Sequence, residues 1–393
     1  MKYRIIISLF LVASCLFNGC TSPEDPKLTH EYIYYVDGKE EQVKTPTIGA
    51  KIKNGVDVPI LPTEWMGFYH DLDNYVNIRN YFVSGIESTK PVATTLSWEN
   101  KEECDNYGVE LSTHKDMSES TNFSTANNKS LELKDLYAGT HYYYQIHAQY
   151  EDRKVVSKRF DFSTTDFFRT LDIDRVLNAR DFGNKKTEDK KKRVKQGMVY
   201  RSANLDSVTT TGRRDAIEKY GIKTDLDLRE AGPKASPLGD TVKYINNATE
   251  LYGSPQYYSL INGVNCVEYQ TAMLNNLKVF ADKDNFPLVF HCAIGRDRTG
   301  TLAITLYLLL GINIEQIQQD YIASFFSSAC NKDSFENCCE QMEALIYYYT
   351  YYKGKDGISE GTVYERTEEY ARDIGLSLEE IKAIRDNLLE DNR

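Results

Sequence analysis

The chain has 393 residues, with 41% hydrophobic and 27% charged side chains and a formal net charge of −11. Enough apolar material for packed cores excludes a disordered or fibrous chain, and the length suggests two or three domains. An acidic balance argues against nucleic acid as the main partner. The eight cysteines, Cys15, Cys20, Cys104, Cys266, Cys292, Cys330, Cys338 and Cys339, are widely spaced or adjacent, with no CxxC pair. That spacing predicts neither a zinc site nor a disulfide scaffold.

In chain order, Lys2 and Arg4 precede an apolar run over Ile5–Phe17. Thirteen residues are too few to span a bilayer and read as a secretory signal. The run closes on Asn18-Gly19-Cys20, which resembles a bacterial lipobox, and residues 1–20 are assigned to a lipoprotein signal with Cys20 as the lipidated residue. Cys15, after Val12-Ala13-Ser14, is the alternative acceptor, and simple secretion with an unmodified cysteine is the other. Two or more acyl chains would hold the protein on a membrane. The expectation is export across the inner membrane and anchoring at the outer one. Residues 21–76 are a tether and an unassigned segment, in which Tyr32–Gly38 hints at a hairpin.

Residues 77–165 read as short strands separated by turns. Val92–Trp98, Tyr142–Ala148 and Val155–Thr164 each have period-2 or β-rich character. Leu136-Tyr137-Ala138-Gly139-Thr140-His141-Tyr142 resembles the tyrosine corner of fibronectin type III domains, and Trp98 resembles their core tryptophan. The resemblance implies a β-sandwich, acting as a spacer or as a ligand-binding module.

Residues 166–393 alternate strand and helix. Thr224–Leu228 and Phe286–His291 are predicted strands, and Ala272–Ala281 and Thr301–Leu310 are predicted helices. The expected fold is α/β, a parallel sheet with helices on both faces, preceded by the all-β domain.

The chemistry lies between a strand and a helix, at His291-Cys292-Ala293-Ile294-Gly295-Arg296-Asp297-Arg298-Thr299-Gly300, a C-x5-R sequence. A loop leaving a strand for a helix N-terminus gathers backbone N–H groups into an anion site. Ala293, Ile294, Gly295 and Arg296 would supply those contacts, and Gly295 permits the tight path. Arg298 offers a planar fork to two phosphate oxygens. Cys292 at the base is the expected nucleophile, since such surroundings favour thiolate, and attack on phosphorus gives a phosphocysteine that water hydrolyses. Thr299 could hydrogen-bond the sulfur as it departs. This chemistry needs neither metal nor cofactor.

Further blocks carry a family resemblance: Leu177–Asn184, Gln196–Leu205, Asp225–Glu230 and Glu365–Asp391. Together with the loop they resemble the atypical bacterial protein tyrosine phosphatases, whose loop reads HCxxGKDRTG. That resemblance implies phosphotyrosine monoesterase activity, with phosphoinositides or inositol phosphates as the alternative substrates. A non-enzymatic phospho-ligand-binding lipoprotein is the remaining class. Arg296 stands where the family has lysine. The resemblance makes Asp297 the general acid; a plain helix-terminal carboxylate is its alternative role. Leu251–Val264, where conventional tyrosine phosphatases would place an acid loop, has no Asp or Glu. Arg180, Asp181, Arg201 and Arg229 are expected to form a paired network that braces the loop, with Arg201 the candidate for direct substrate contact, and His291 is expected to orient the loop rather than act as a base. Asp227 is expected to hold Arg298 or Arg201 by an ion pair. Lys185–Lys195, with seven basic and two acidic residues, reads as a solvated loop or an anion-facing patch. Tyr347–Tyr352 lies on a predicted helix that packs on the surface or covers the pocket. The expected partners are a phosphorylated protein or phospholipid and the membrane.

Overall fold

A computed structural model describes residues 32–36, 39–43, 48–50, 57–62, 87–100, 102–247, 264–330, 335–353 and 361–392. The leader with Cys15 and Cys20, and residues 251–263, lie outside the described residues.

The first strands in chain order are β1 (Tyr32–Val36), β2 (Lys39–Val43), β3 (Ile48–Ala50), β4 (Asp57–Val58), β5 (Thr94–Asn100), β6 (Asn106–Ser112) and β7 (Thr121–Ala126). They are followed by β8 (Ser130–Leu133), β9 (His141–Gln149), β10 (Arg153–Val156) and β11 (Phe160–Thr164). The chain divides into two compact units. The first takes residues up to 51, 97–130 and 143–160; the second takes 52–96, 131–142 and 161–393. The division does not fall at residue 165, because β5 and β9 each run through a boundary.

Within the first unit, β2-β1-β10-β9-β6-β7 form an antiparallel ladder, and β1 and β2 are the two arms of a hairpin. Alternating burial along β6 and β9 follows the period of the strand, with Tyr107, Val109, Tyr144, Ile146 and Ala148 inside. Trp98 is buried edge-on against Tyr107. Buried Asn100 donates to the hydroxyls of Tyr107 and Tyr150 at 3.0 and 2.8 Å. The expected single strand over 155–164 is instead two. Ser157 breaks it: its Oγ accepts from the Ile146 N–H at 2.9 Å and donates to the Lys158 carbonyl at 2.8 Å.

The second unit contains a corner in which Tyr142 Oη accepts from the Tyr137 N–H at 2.8 Å. Burial pushes the Tyr142 phenol up to about 12. Its further elements are β12 (Arg180–Asp181), β13 (Lys192–Val194), β14 (Val199–Ser202), α1 (Thr210–Arg214), β15 (Thr224–Asp227), β16 (Lys243–Asn246), α2 (Val267–Ala281) and β17 (Leu288–His291). After them come α3 (Asp297–Leu309), α4 (Ile314–Ile322), α5 (Phe335–Thr350), α6 (Val363–Asp373), α7 (Leu378–Leu388) and β18 (Leu389–Asp391).

The sheet runs β12-β14-β17-β15-β16, parallel except at the β12 edge. This is the mixed α/β architecture that the strand and helix alternation predicts. Every residue of β17 is buried, which suits a central parallel strand. Ser202, Asp227 and His291 end their strands in register, so the crevice forms at the carboxyl edge of the sheet. Helix α3 starts at Asp297, inside the C-x5-R segment, and is buried from Thr299 onward. Capping boxes at Thr362/Glu365 and Ser377/Glu380 start α6 and α7.

Two surface expectations change. The basic run is not wholly solvated: Lys185 is buried, while Lys192 and Arg193 pair with Asp391 and Glu390 across β13 and β18. Of the tyrosine run, Tyr347 is exposed, but Tyr349 is buried and shares a 2.8 Å hydrogen bond with Thr305.

Candidate active site

Residues 292–296 join β17 to α3, and Cys292 lies buried at their start. Gly295 has φ +76°, and a Cβ there would sit 2.4 Å from the Ser202 carbonyl oxygen. Only glycine satisfies both demands.

Three consecutive loop carbonyls are held from outside. The Ala293 carbonyl accepts from the Asn204 N–H at 3.1 Å and Asn204 Nδ2 at 2.9 Å. The Ile294 carbonyl accepts from Asn178 Nδ2 at 2.9 Å and Cys330 Sγ at 3.4 Å. The Gly295 carbonyl accepts from Arg201 Nη2 at 2.8 Å. In a trans peptide the N–H points opposite to the C=O. Fixing these carbonyls outward therefore aims the N–H groups of Ile294, Gly295 and Arg296 the other way, as an anion cradle requires.

A buried ionic network supports the clamp. Arg180 Nε reaches Asp320 Oδ1 at 3.1 Å and its Nη2 reaches the Asp320 carbonyl at 2.7 Å. Arg201 Nη1 donates to Asp320 Oδ2, and Lys185 Nζ lies 3.6 Å from Asp320 Oδ1. Burial alone would raise the Asp320 carboxyl, but Arg201, Arg180 and Lys185 outweigh it and hold the group well below the usual range. Burial lowers Lys185 to about 8 despite its carboxylate neighbour. Asp181 accepts from the N–H groups of Gly183 and Gly197, each at 2.8 Å, and from Arg169 at 3.2 Å; burial pushes its carboxyl up.

Arg180 lies on Asp320 and Asn178, next to the residues that hold the loop, whereas Gly183, Gly197 and Arg169, which bond the Asp181 carboxylate, all lie outside the loop. Arg201, the candidate for substrate contact, is instead buried on Asp320 and the Gly295 carbonyl, in the bracing position that was its alternative. Asp227 holds neither Arg298 nor Arg201. Its oxygens accept from Arg229 at 2.8–3.2 Å and from Tyr244 Oη at 3.0 Å, because Arg229, two residues along, is the nearer cation. Burial opposes the Asp227 charge, yet Arg229 and His291 hold its carboxyl below the usual range. His291 Nε2 meets Asp225 Oδ1 at 2.9 Å, and its Nδ1 lies 3.2 Å from the Cys292 carbonyl. Burial would depress the imidazole, but Asp225 and Asp227 raise it.

At the mouth, Arg298 donates to the Leu228 carbonyl at 3.1 Å and to Glu230. Leu228, Tyr269, Met273 and Leu302 wall the small hollow beside it. Arg296 Nε and Nη2 engage both oxygens of Asp297, at 2.9 and 3.3 Å, and the guanidinium lies over the Phe325 ring. Thr299 Oγ1 is buried with no hydrogen-bond partner, a hydroxyl left available at the head of the helix. Among the described residues no group of three or more His, Cys, Asp or Glu side chains could hold a metal.

Sequence reasoning missed Asp320, Asn178, Asn204, Cys330, Asp225 and Glu230 as site residues. Asn178, Asn204, Asp225 and Glu230 lie inside the recognised blocks, so their position was a usable signal. Asp320, the one charged residue among the buried positions of α4, which are otherwise Ile317, Tyr321 and Ile322, carried no local signal in a helix that also holds Glu315, Gln316, Gln318 and Gln319.

Comparison with known proteins places these features in context. A family model described as the tyrosine phosphatase family matches residues 171–390. A candidate tyrosine-protein phosphatase of Cupriavidus necator is 27% identical over 173 residues, covering 39% of this chain and 62% of that protein. A candidate tyrosine-protein phosphatase of Debaryomyces hansenii is 28% identical over 126 residues, covering 32% and 61%. The chain thus spans about three fifths of the length of the curated relatives it matches. Among solved structures, the core catalytic domain of the PP-IP phosphatase SIW14 from S. cerevisiae aligns over 38% of this chain and 83% of its own, with 17% identity and a TM-score of 0.27.

Proposed function

The chain belongs to the tyrosine phosphatase family, and on that premise we propose that it hydrolyses phosphotyrosine monoesters through a phosphocysteine intermediate. The observation that carries this reading is the loop in which three successive carbonyls are tied outward around a buried cysteine.

The Cys292 thiolate attacks phosphorus in line. The sulfur–phosphorus bond forms as the phosphorus–oxygen bond to the phenol breaks, and Asp297 gives the departing oxygen its proton. Asp297 then takes a proton from water, whose oxygen attacks phosphorus; inorganic phosphate leaves and the thiolate returns. The N–H groups of residues 293–296 and the Arg298 fork stabilise the charge on the equatorial oxygens. Arg298 exchanges its Glu230 contact for phosphate as substrate enters. Thr299 Oγ1, lacking any other partner, hydrogen-bonds the departing sulfur.

The proposal extends to the rest of the chain. Residues 1–20 direct export and Cys20 carries the lipid anchor. Residues 77–165 form a fibronectin type III-like spacer, a reading supported by the Tyr142–Tyr137 corner bond and buried Trp98.

The test is phosphate release from a phosphotyrosine peptide in EDTA, by the parent and by Cys292→Ser. Turnover by the parent alone supports the mechanism. Faster release from a phosphoinositide than from the peptide overturns the substrate assignment. No release from either substrate by a folded parent leaves a binding protein.

A further inference from the structure

Residues 87–92 lie far upstream of the matched family region, yet they pack onto the phosphatase fold in the same compact unit. The Ser88 N–H donates to the Phe326 carbonyl at 2.9 Å, and Lys90 pairs with Asp172 at 3.0 Å. Glu87 is the centre of this strap. Its Oε1 accepts from the Asn178 N–H at 3.3 Å and from the Thr89 hydroxyl. Its Oε2 accepts from Ser327 Oγ at 2.7 Å and from the Ser328 N–H and Oγ, both at 3.0 Å.

Those two sets of donors lead to one atom. Asn178 carries the amide that holds the Ile294 carbonyl at 2.9 Å. The turn after Ser327 and Ser328 ends at Cys330, whose thiol reaches the same carbonyl at 3.4 Å, and the Cys330 N–H returns to the Ser327 carbonyl at 3.0 Å. Asn178 also sits at φ +53°, in the left-handed region that asparagine tolerates better than most residues. One carboxylate therefore ties together both supports of the peptide that presents the Gly295 N–H to the cradle.

We propose that Glu87 is a positioning residue for the catalytic loop, supplied from outside the family core, and that it sets the oxyanion affinity of the cradle through Asn178 and the 327–330 turn. The proposal rests on the phosphatase reading of the loop. A displacement of about 1 Å in such a site can cost about 100-fold in rate, so loss of one buttress should be visible without unfolding.

The experiment compares the full chain with Glu87→Ala, Glu87→Gln and Lys90→Ala. One readout is kcat and KM on p-nitrophenyl phosphate. The other is protection of Cys292 from iodoacetamide by inorganic phosphate, followed by mass spectrometry. For Glu87→Ala the expected result is a kcat lower by about tenfold and a half-protecting phosphate concentration higher by a similar factor. Lys90→Ala should match the parent. If Glu87→Ala does not fold, Glu87→Gln decides, because its amide keeps the shape but turns a donor toward the Ser328 N–H. A folded Glu87 variant with parental protection overturns the proposal. The protection assay needs no turnover, so an inactive parent would refute the phosphatase reading while still testing Glu87.

Discussion

The side-chain amide of Asn178 donates a 2.9 Å hydrogen bond to the carbonyl of Ile294, 116 residues further along the chain. Its Oδ1 meanwhile accepts from Arg180, so the asparagine links the 292–298 loop to the buried ionic network. Asn178→Ala removes both bonds and strains a left-handed backbone, whereas Asn178→Gly removes the bonds but suits φ +53°. Both variants should lose about tenfold in kcat, with the glycine more stable than the alanine by about 1 kcal/mol in urea unfolding. Equal stability of the two would show that the backbone is not strained.

Gly295→Ala drives a methyl group against the Ser202 backbone oxygen at 2.4 Å, where no flexible side chain can yield. The loop must open, and activity should fall by about 100-fold or more. Phosphate should also cease to protect Cys292 from alkylation. Normal protection would show that the cradle tolerates a Cβ.

The role of Asp297 is tested by leaving-group dependence. Asp297→Asn should slow hydrolysis of phosphotyrosine by about 100-fold or more, and affect p-nitrophenyl phosphate far less, since the nitrophenolate departs without a proton. An equal loss on both esters would assign Asp297 to holding Arg296 alone.

Asp320 gives a pH prediction. Its folded-state carboxyl is held below its unfolded value, so its contribution to stability is complete above about pH 4 and is lost as the pH falls further. Asp320→Asn should destabilise the protein at neutral pH by about 3–5 kcal/mol, because Arg180, Arg201 and Lys185 lose a buried counter-charge. It should also flatten the acid limb of a urea-midpoint titration below about pH 4. Parallel acid limbs in parent and variant would rule this out.

What the chain discloses by itself follows from distance along it. Cys292, Gly295, Arg298 and Thr299 lie within eight residues, where strand, loop and helix signals fix their relative places. The supports do not. Asp320 meets Arg180 across 140 residues, and nothing local marks that pairing. The assignment of Asp227 to Arg298 or Arg201 failed for another reason: Arg229, two residues along, takes both of its oxygens. Asp225, two residues earlier on β15, meets His291 at 2.9 Å although Asp227 is the residue in register with that histidine. Lys185 was hidden in a run of exposed lysines, although it alone of the run's lysines reaches Asp320. In the β region, strand alternation was visible, but the break at Ser157 depends on a hydroxyl bonded to a neighbouring strand.

Three cationic side chains, Arg180, Lys185 and Arg201, converge on the carboxylate of Asp320, while Asp181 is already matched by Arg169. Asp320 therefore faces three cations in a place that water and dissolved ions do not reach. Ionic screening weakens exposed charges within about 10 Å at 0.1 M salt but acts far less on buried ones. The molecule as a whole carries −11 and repels polyanions at a distance. The hold of that buried cluster on the loop is therefore one that salt should barely diminish.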